Sequence, residues 1–164
     1  MAELYLVRHG IAAERGKEWP DDSKRPLTHK GIARMREVAA GLKDLDAGFD
    51  LILTSPLVRA RQTADLLHQG LGGSIPLEET TLLAPGGAPA DLLEVLKNRK
   101  KSDRIALVGH EPDLGRLAAF LIGARAPLVF KKGGICRIDF EKLPPVPPGQ
   151  LVWFALPKML RALD

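Results

Sequence analysis

Two histidines and two arginines are the residues of this chain whose types and spacing suggest chemistry. They occur in the stretches LYLVRHG, LILTSPLVRARQTA and IALVGHEPDLG, each of which begins as a short apolar run. A planar guanidinium can hold two phosphoryl oxygens at once. A neutral imidazole can attack phosphorus and form a covalent intermediate. The set Arg8, His9, Arg59 and His110 therefore indicates a phosphoryl-transfer site, with a non-catalytic phosphate- or phosphoprotein-binding module as the alternative.

The apolar runs predict where these side chains lie. Leu4–Val7, Leu51–Thr54 and Ile105–Val108 are typical of buried strands. The carboxyl ends of parallel strands lie along one edge of a sheet, which is where open α/β sheets bind ligands. Two of the polar groups are near predicted helix starts, where free N–H groups and the helix dipole favour an anion. We therefore expect all four side chains to share one anion-binding pocket.

Helical patterns alternate with the predicted strands. Further strands are predicted near Ile75–Leu77, at Ile135–Phe140 and at Leu151–Leu156. Five helices are predicted. The first has Thr28 as N-cap and runs to Leu42, and the second has Ser55 as N-cap, begins at Pro56 and ends at Leu71. The others are Ala90–Lys100, a helix that begins at Pro112 and is closed by Gly123, and a short helix that begins at Pro157. This order predicts an α/β three-layer sandwich. Its central sheet is mostly parallel, with helices on both faces and an antiparallel edge.

Length and composition narrow the classes of protein. A chain of 164 residues is expected to form one domain, 1–164, with 45% hydrophobic and 27% charged residues as in ordinary globular proteins. No apolar run approaches the roughly 18 residues of a membrane span, and no signal peptide is evident, so we expect a cytoplasmic protein. The single cysteine, Cys136, excludes an intramolecular disulfide and is expected in the core.

The charge balance permits an anionic ligand but does not favour nucleic acid. The net charge is +4, the basic clusters around Lys100 and Lys131 are short, and only 5% of residues are aromatic. The sequence has no H-E-x-x-H motif, no paired cysteines and no carboxylate cluster, so no metal is expected.

The motifs LVRHG, TSPLVRARQTA and VGHEPDL, in this order and each at a predicted strand end, resemble those of the histidine phosphatase superfamily. The resemblance spans residues 4 to about 140. It implies the phosphoglycerate mutase-like fold and a cofactor-independent reaction through a phosphohistidine enzyme intermediate. It also implies that His9 is the phosphorylated nucleophile and that Arg8, Arg59 and His110 complete the phosphate pocket.

The short length and the elements RPLT, GHEP and KKGGICRIDF resemble the SixA-type phosphohistidine phosphatases of that superfamily. Its mutases and many of its metabolite phosphatases carry an asparagine where this chain has Arg15, and a glutamate acid after the second motif. The corresponding segment here, PLEETTLLAPGG, has Glu78 and Glu79, neither clearly in the expected place. The resemblance implies a phosphohistidine-bearing signalling protein of the histidine-phosphotransfer type as substrate, and we expect a monomer.

The chemistry of the leaving group is consistent with the absence of a clearly placed proton donor. A phosphomonoester expels an alkoxide whose conjugate acid has a pKa of about 15, comparable with water. Phosphohistidine expels imidazole, whose ordinary pKa is about 6.5, so it needs much less help from a proton donor. The alternative is a small-metabolite phosphomonoesterase with Glu79 or Glu78 as the acid; a mutase fits less well because of Arg15.

Two further basic groups have open roles. Arg25 is a candidate substrate-binding residue at the pocket rim, with an ordinary surface-loop arginine as the favoured alternative. Lys131 and Lys132 are interpreted as a solvated loop rather than a contact for an acidic partner.

Overall fold

A single six-stranded sheet forms the centre of the computed structural model, which describes residues 1–99 and 101–163. The strands are β1 (Ala2–Arg8), β2 (Leu51–Thr54), β3 (Leu77–Glu79), β4 (Arg104–Gly109), β5 (Ile135–Phe140) and β6 (Gln150–Ala155). Their order is β3-β2-β4-β1-β5-β6. The first four are parallel, β5 is antiparallel to β1, and β6 is antiparallel to β5. The predicted sheet with an antiparallel edge is confirmed.

Among the described residues, four α-helices connect strands: α1 (His29–Asp44), α2 (Val58–Gly70), α3 (Pro89–Lys97) and α4 (Asp113–Ile122). A fifth helix, α5 (Pro157–Arg161), follows β6. Thr28 is confirmed as the N-cap of α1, because its hydroxyl accepts the Gly31 N–H at 2.9 Å. The end predicted for α3, Lys100, is outside the described residues. Within residues 1–99 and 101–163, no helix has the length and apolarity needed to cross a bilayer.

The start predicted for α2 was wrong. Pro56 precedes the helix, and Leu57 has an extended backbone with φ −63° and ψ 139°. The Ser55 hydroxyl accepts the Leu57 N–H at 3.2 Å, so it stabilises a local turn before the helix instead of capping its first turn. The helix then begins at Val58, which leaves Arg59 in its first turn.

The alternation of side chains in β1 divides the core into two layers. Tyr5 and Val7 pack in a cluster with residues of α1, α2 and α5, whereas Leu4 and Leu6 pack with residues of α3 and α4. This arrangement confirms the three-layer sandwich. Cys136 is buried in the second cluster, and burial raises the pKa of its thiol to about 12, as expected of an unreactive core residue.

Strand register brings the chemically interesting segments to one edge of the sheet. Arg8 pairs with Gly109 at the ends of β1 and β4, and Thr54 pairs with Val108 at the end of β2. Because β5 runs in the opposite direction, the loop that precedes it lies at the same edge. Gly133 of that loop has φ +81°, a conformation that favours glycine, and its N–H donates to the carbonyls of Arg8 and His9.

Candidate active site

A cavity of about 400 Å³ lies at this edge of the sheet. Its lining includes all four residues that the sequence singles out, together with three more cationic side chains. The charged groups are Arg8, Arg15, Arg25, Arg59 and Lys132 on the positive side and Glu111 on the negative side. The cavity therefore has the electrostatic character of an anion-binding site.

His9 is buried, and its two ring nitrogens have different partners. Nδ1 is 2.7 Å from the Gly10 carbonyl oxygen, so the proton is assigned to Nδ1, which donates to that carbonyl. Nε2 retains a lone pair and accepts the Arg59 Nε–H at 3.3 Å. Burial, with the nearby charges of His110, Arg59 and Arg8, lowers the pKa of His9 to about 3 although the Gly10 hydrogen bond opposes this. His9 is therefore neutral at pH 7, as nucleophilic attack requires.

Thr63 connects the loop after β1 to helix α2. Its hydroxyl accepts the Gly10 N–H at 3.0 Å and donates to the Arg59 carbonyl at 2.8 Å. These two bonds keep His9 beside Arg59. Sequence reasoning missed Thr63, although its position one helical turn after Arg59 in the second motif was the available signal.

Arg59 is almost completely buried and is held by the loop between β1 and α1. Its Nη1 donates to the backbone carbonyl of Asp22 at 2.8 Å, and its Nη2 donates to the Asp22 carboxylate at 3.1 Å. Asp22 lies in a short 3₁₀ turn, Asp22–Lys24. Sequence reasoning missed this aspartate because the polar stretch around it has no periodicity that links it to a distant arginine.

The interpretation of Arg25 as a surface-loop residue was wrong. Only 9% of Arg25 is exposed, because its Nη1 donates to the Ala13 carbonyl at 2.6 Å and its Nε donates to Asp22 at 2.8 Å.

The interpretation of Lys132 as only a solvated loop residue also needs correction, since Lys132 lines the cavity. The antiparallel direction of β5 places its loop there.

His110 is buried and hydrogen-bonded to Ser55. Its Nε2 is 2.8 Å from the Ser55 hydroxyl, which already accepts the Leu57 N–H. We therefore assign the Ser55 proton to the bond with Nε2 and the imidazole proton to Nδ1. Nδ1 has no hydrogen-bond partner within the described part of the chain. Burial, together with the charge of Arg59, lowers the pKa of His110 to about 4.

Arg8 and Glu111 are both fixed by the loop before β5. Arg8 Nη1 donates to the Phe130 carbonyl at 2.7 Å, and Arg8 Nε is buried without a partner among the described residues. The Glu111 carboxylate accepts the N–H groups of Gly115 at 2.8 Å and Phe130 at 3.4 Å. Glu111 is therefore engaged with the backbone although it lines the cavity.

The two glutamates considered as proton donors do not line the cavity. Glu79 forms an ion pair with Arg61 at 3.1 Å, and Glu78 forms a two-point ion pair with Arg99. The structure thus brings together His9, Arg8, Arg59 and His110, with Arg25 beside them, and leaves both glutamates outside.

A family model described as "Histidine phosphatase superfamily (branch 1)" matches residues 4–84. An uncharacterised protein of Picosynechococcus sp. is 44% identical over 137 residues, which make up 81% of this chain and 82% of that protein. The chain belongs to the histidine phosphatase superfamily.

Two other matches are to SixA proteins of this superfamily. The phosphohistidine phosphatase SixA of Escherichia coli K12 is 28% identical over 144 residues, 85% of this chain and 86% of that protein. A solved structure of the protein histidine phosphatase SixA complexed with tungstate superposes with a TM-score of 0.85 at 26% identity. The superposed region covers 96% of this chain and 99% of the SixA chain. These matches place the chain in the SixA-type branch of the superfamily, and the protein is therefore a phosphatase.

The lowered pKa values of the two histidines make a prediction for the unliganded phosphatase. Both imidazoles are expected to stay neutral from pH 8 down to pH 5, because their pKa values of about 3 and about 4 lie below this range. Histidine side-chain NMR spectra recorded across that range give the measurement. An imidazole of His9 or His110 that titrates near pH 6.5 would contradict the prediction.

Proposed function

We propose that this phosphatase removes the phosphoryl group from a phosphohistidine side chain of another protein, with His9 as covalent nucleophile. One observation carries the proposal: among the described residues, the cavity holds no carboxylate free to act as a proton donor. Glu111 is bound to two backbone N–H groups, and Asp22 is ion-paired with arginines of the lining. Glu78 and Glu79 are in ion pairs outside the cavity. An imidazole leaving group tolerates this arrangement much better than an alkoxide does.

In the first step, the phosphoryl oxygens accept hydrogen bonds from Arg8, Arg59 and the Nδ1–H of His110. The Arg59 Nε–H stops donating its hydrogen bond to His9 Nε2 and donates to a phosphoryl oxygen instead. This change frees the lone pair of His9 Nε2. His9 Nε2 attacks phosphorus and forms a P–N bond. The P–N bond of the substrate breaks, and its electron pair stays on the released nitrogen; because the other ring nitrogen of the substrate histidine carries a proton, the leaving group is a neutral imidazole.

In the second step, water attacks the phosphorus of phosphorylated His9. A P–O bond forms, the P–N bond to Nε2 breaks, and its electron pair returns to that nitrogen while the proton of the attacking water passes to solvent or phosphate. The arginines stabilise the charge that is spread over the equatorial oxygens in both steps. No cofactor enters either step.

Two buried nitrogens support binding of a phosphoryl group. Arg8 Nε and His110 Nδ1 belong to lining residues, and neither has a partner in the described part of the protein. A buried donor without a partner costs about 1–3 kcal/mol, and an oxyanion that accepted from either nitrogen would remove that cost. The solved SixA structure that resembles this chain is itself complexed with tungstate, a tetrahedral oxyanion.

A protein substrate is supported by the cavity rim and by the relatives. The Arg15 side chain is 79% exposed, and Lys132 is exposed as well, so the rim is accessible to a macromolecule. One of the two SixA proteins that resemble this chain is a phosphohistidine phosphatase, and the other is a protein histidine phosphatase. We propose that residues 1–164 form a single histidine phosphatase domain whose partner is a phosphohistidine-bearing signalling protein of the phosphotransfer type.

Comparing two substrate classes tests this function. We expect kcat/KM for a phosphohistidine-bearing phosphotransfer domain to exceed that for a panel of phosphomonoesters by at least about 10²–10⁴, the contribution of a positioned acid that the monoesters need. Glu79→Gln and Glu78→Gln are expected to leave the rate with phosphohistidine unchanged.

The same assay identifies the alternative. Equal or faster cleavage of a monoester, lost in Glu79→Gln or Glu78→Gln, would show that a carboxylate enters the cavity. The protein would then be a phosphomonoesterase. Tight phosphoprotein binding with no turnover would identify a binding module instead.

A further inference from the structure

Three arginines that line the cavity share one carboxylate, that of Asp22. Its Oδ2 is 3.1 Å from Arg59 Nη2, and its Oδ1 is 2.8 Å from Arg25 Nε and 3.4 Å from Arg15 Nε. The backbone carbonyl of Asp22 accepts a further bond from Arg59 Nη1 at 2.8 Å. Both carboxylate oxygens are therefore engaged with the cationic lining of the cavity.

The bonds to Arg59 connect this carboxylate to the guanidinium that contacts the nucleophile. One guanidinium nitrogen, Nε, donates to His9 Nε2, and another nitrogen of the same planar group, Nη2, donates to Asp22. A phosphoryl group in line with His9 Nε2 needs donors from this guanidinium for its oxygens. The carboxylate and the phosphoryl oxygens are thus alternative acceptors for the same group.

We propose that Asp22 is a specificity-determining residue, whose carboxylate occupies the place of a phosphoryl oxygen on Arg59 until a substrate displaces it. The inference rests on the proposed roles of His9 and Arg59. Inorganic phosphate and small phosphate esters compete with the Asp22 carboxylate for Arg59 through the phosphoryl group and few other contacts, so they bind weakly. A protein substrate gains further contacts outside the cavity, and that binding energy displaces the carboxylate.

Charge explains why such a competitor is useful. Without Asp22, five cationic side chains of the lining would face the single carboxylate of Glu111, and the cavity would retain the phosphate that the reaction produces. Burial acts to raise the pKa of Asp22, but the hydrogen bond from Arg25 and the charge of Arg59 outweigh it, so the pKa is lowered. Asp22 therefore competes as a full negative charge at neutral pH.

The position of Asp22 allows it to move aside. Its side chain is 43% exposed, and the 3₁₀ turn that carries it contains no buried residue. Displacing the carboxylate therefore leaves both core layers intact. The turn follows a polar loop, so the released carboxylate can be solvated.

The test compares the wild-type protein with Asp22→Asn, in which charge is removed at nearly constant volume. Glu18→Gln is the matched control, because it removes a negative charge from the same loop at an exposed position. The dissociation constant of inorganic phosphate is measured by calorimetry at fixed ionic strength. We expect Asp22→Asn to bind phosphate about five-fold more tightly or better, and Glu18→Gln to bind it about as the wild type does.

Unchanged or weaker phosphate binding in Asp22→Asn would overturn the inference, because it would show that the aspartate only orients Arg59. Asp22→Ala serves as a second variant, and thermal melting shows that both variants are folded. The outcomes separate the two proposals. If the wild type hydrolyses phosphohistidine protein but Asp22→Asn does not bind phosphate more tightly, only the inference about Asp22 fails. If the wild type neither binds phosphate nor turns over phosphohistidine protein, the proposed function fails.

Discussion

Replacing His9 with alanine is expected to abolish turnover in a protein that still folds. The imidazole is the only group that we assign to attack phosphorus, and its Nε2 accepts the Arg59 Nε–H at 3.3 Å. Loss of an essential nucleophile costs on the order of 10⁴–10⁶ in kcat, because its partner groups cannot act without it. The measurement is kcat with phosphohistidine protein, together with circular dichroism and a melting curve.

His29→Ala is the matched control for this change. His29 is exposed at the first residue of α1, so its loss removes an imidazole without altering the cavity. Near wild-type turnover in His9→Ala, with His29→Ala also unchanged, would eliminate the covalent mechanism.

Replacing Arg59 with alanine is expected to lower kcat by about 10²–10³, the cost of losing one preorganised donor. This arginine donates to His9 Nε2 and holds both the carbonyl and the carboxylate of Asp22. The change therefore removes a ligand of the phosphoryl group and also loosens the turn at Asp22. Arg59→Lys keeps the charge but lacks the planar fork, so it is expected to restore only part of the rate.

Arg61→Ala provides the comparison within the same helix. Arg61 binds Asp65 and Glu79 outside the cavity, and its side chain is 39% exposed. We expect its loss to leave kcat for phosphohistidine protein nearly unchanged. An Arg59→Ala variant as active as Arg61→Ala would show that Arg59 does not bind the phosphoryl group.

The sheet and the four central residues could be predicted because the relevant signals are local. Apolar runs such as Leu4–Val7 define buried strands, and parallel strands share an edge, so residues that follow those strands must meet there. The start of α2 could not be placed correctly, because Ser55 followed by proline fits an N-cap as well as it fits the turn that forms.

The residues that sequence reasoning missed or misplaced depend on contacts between distant segments. Asp22 and Arg59 are 37 positions apart, and nothing in the polar loop indicates that the two meet. Arg25 is buried by bonds to Asp22 and Ala13 within that same irregular loop. The placement of Lys132 follows from the antiparallel direction of β5, and the prediction of an antiparallel edge did not say which strand forms it.

Trapping the phosphoenzyme tests the mechanism most directly. Wild-type protein is mixed with excess phosphohistidine protein, quenched within milliseconds at alkaline pH, where phosphohistidine persists, and examined by peptide mass spectrometry and ³¹P NMR. We predict one phosphoryl group on Nε2 of His9, lost on acidification and absent from His9→Ala. Turnover at the full rate with no phosphorylated His9 at any quench time, or with the group on another residue, would contradict the proposed mechanism.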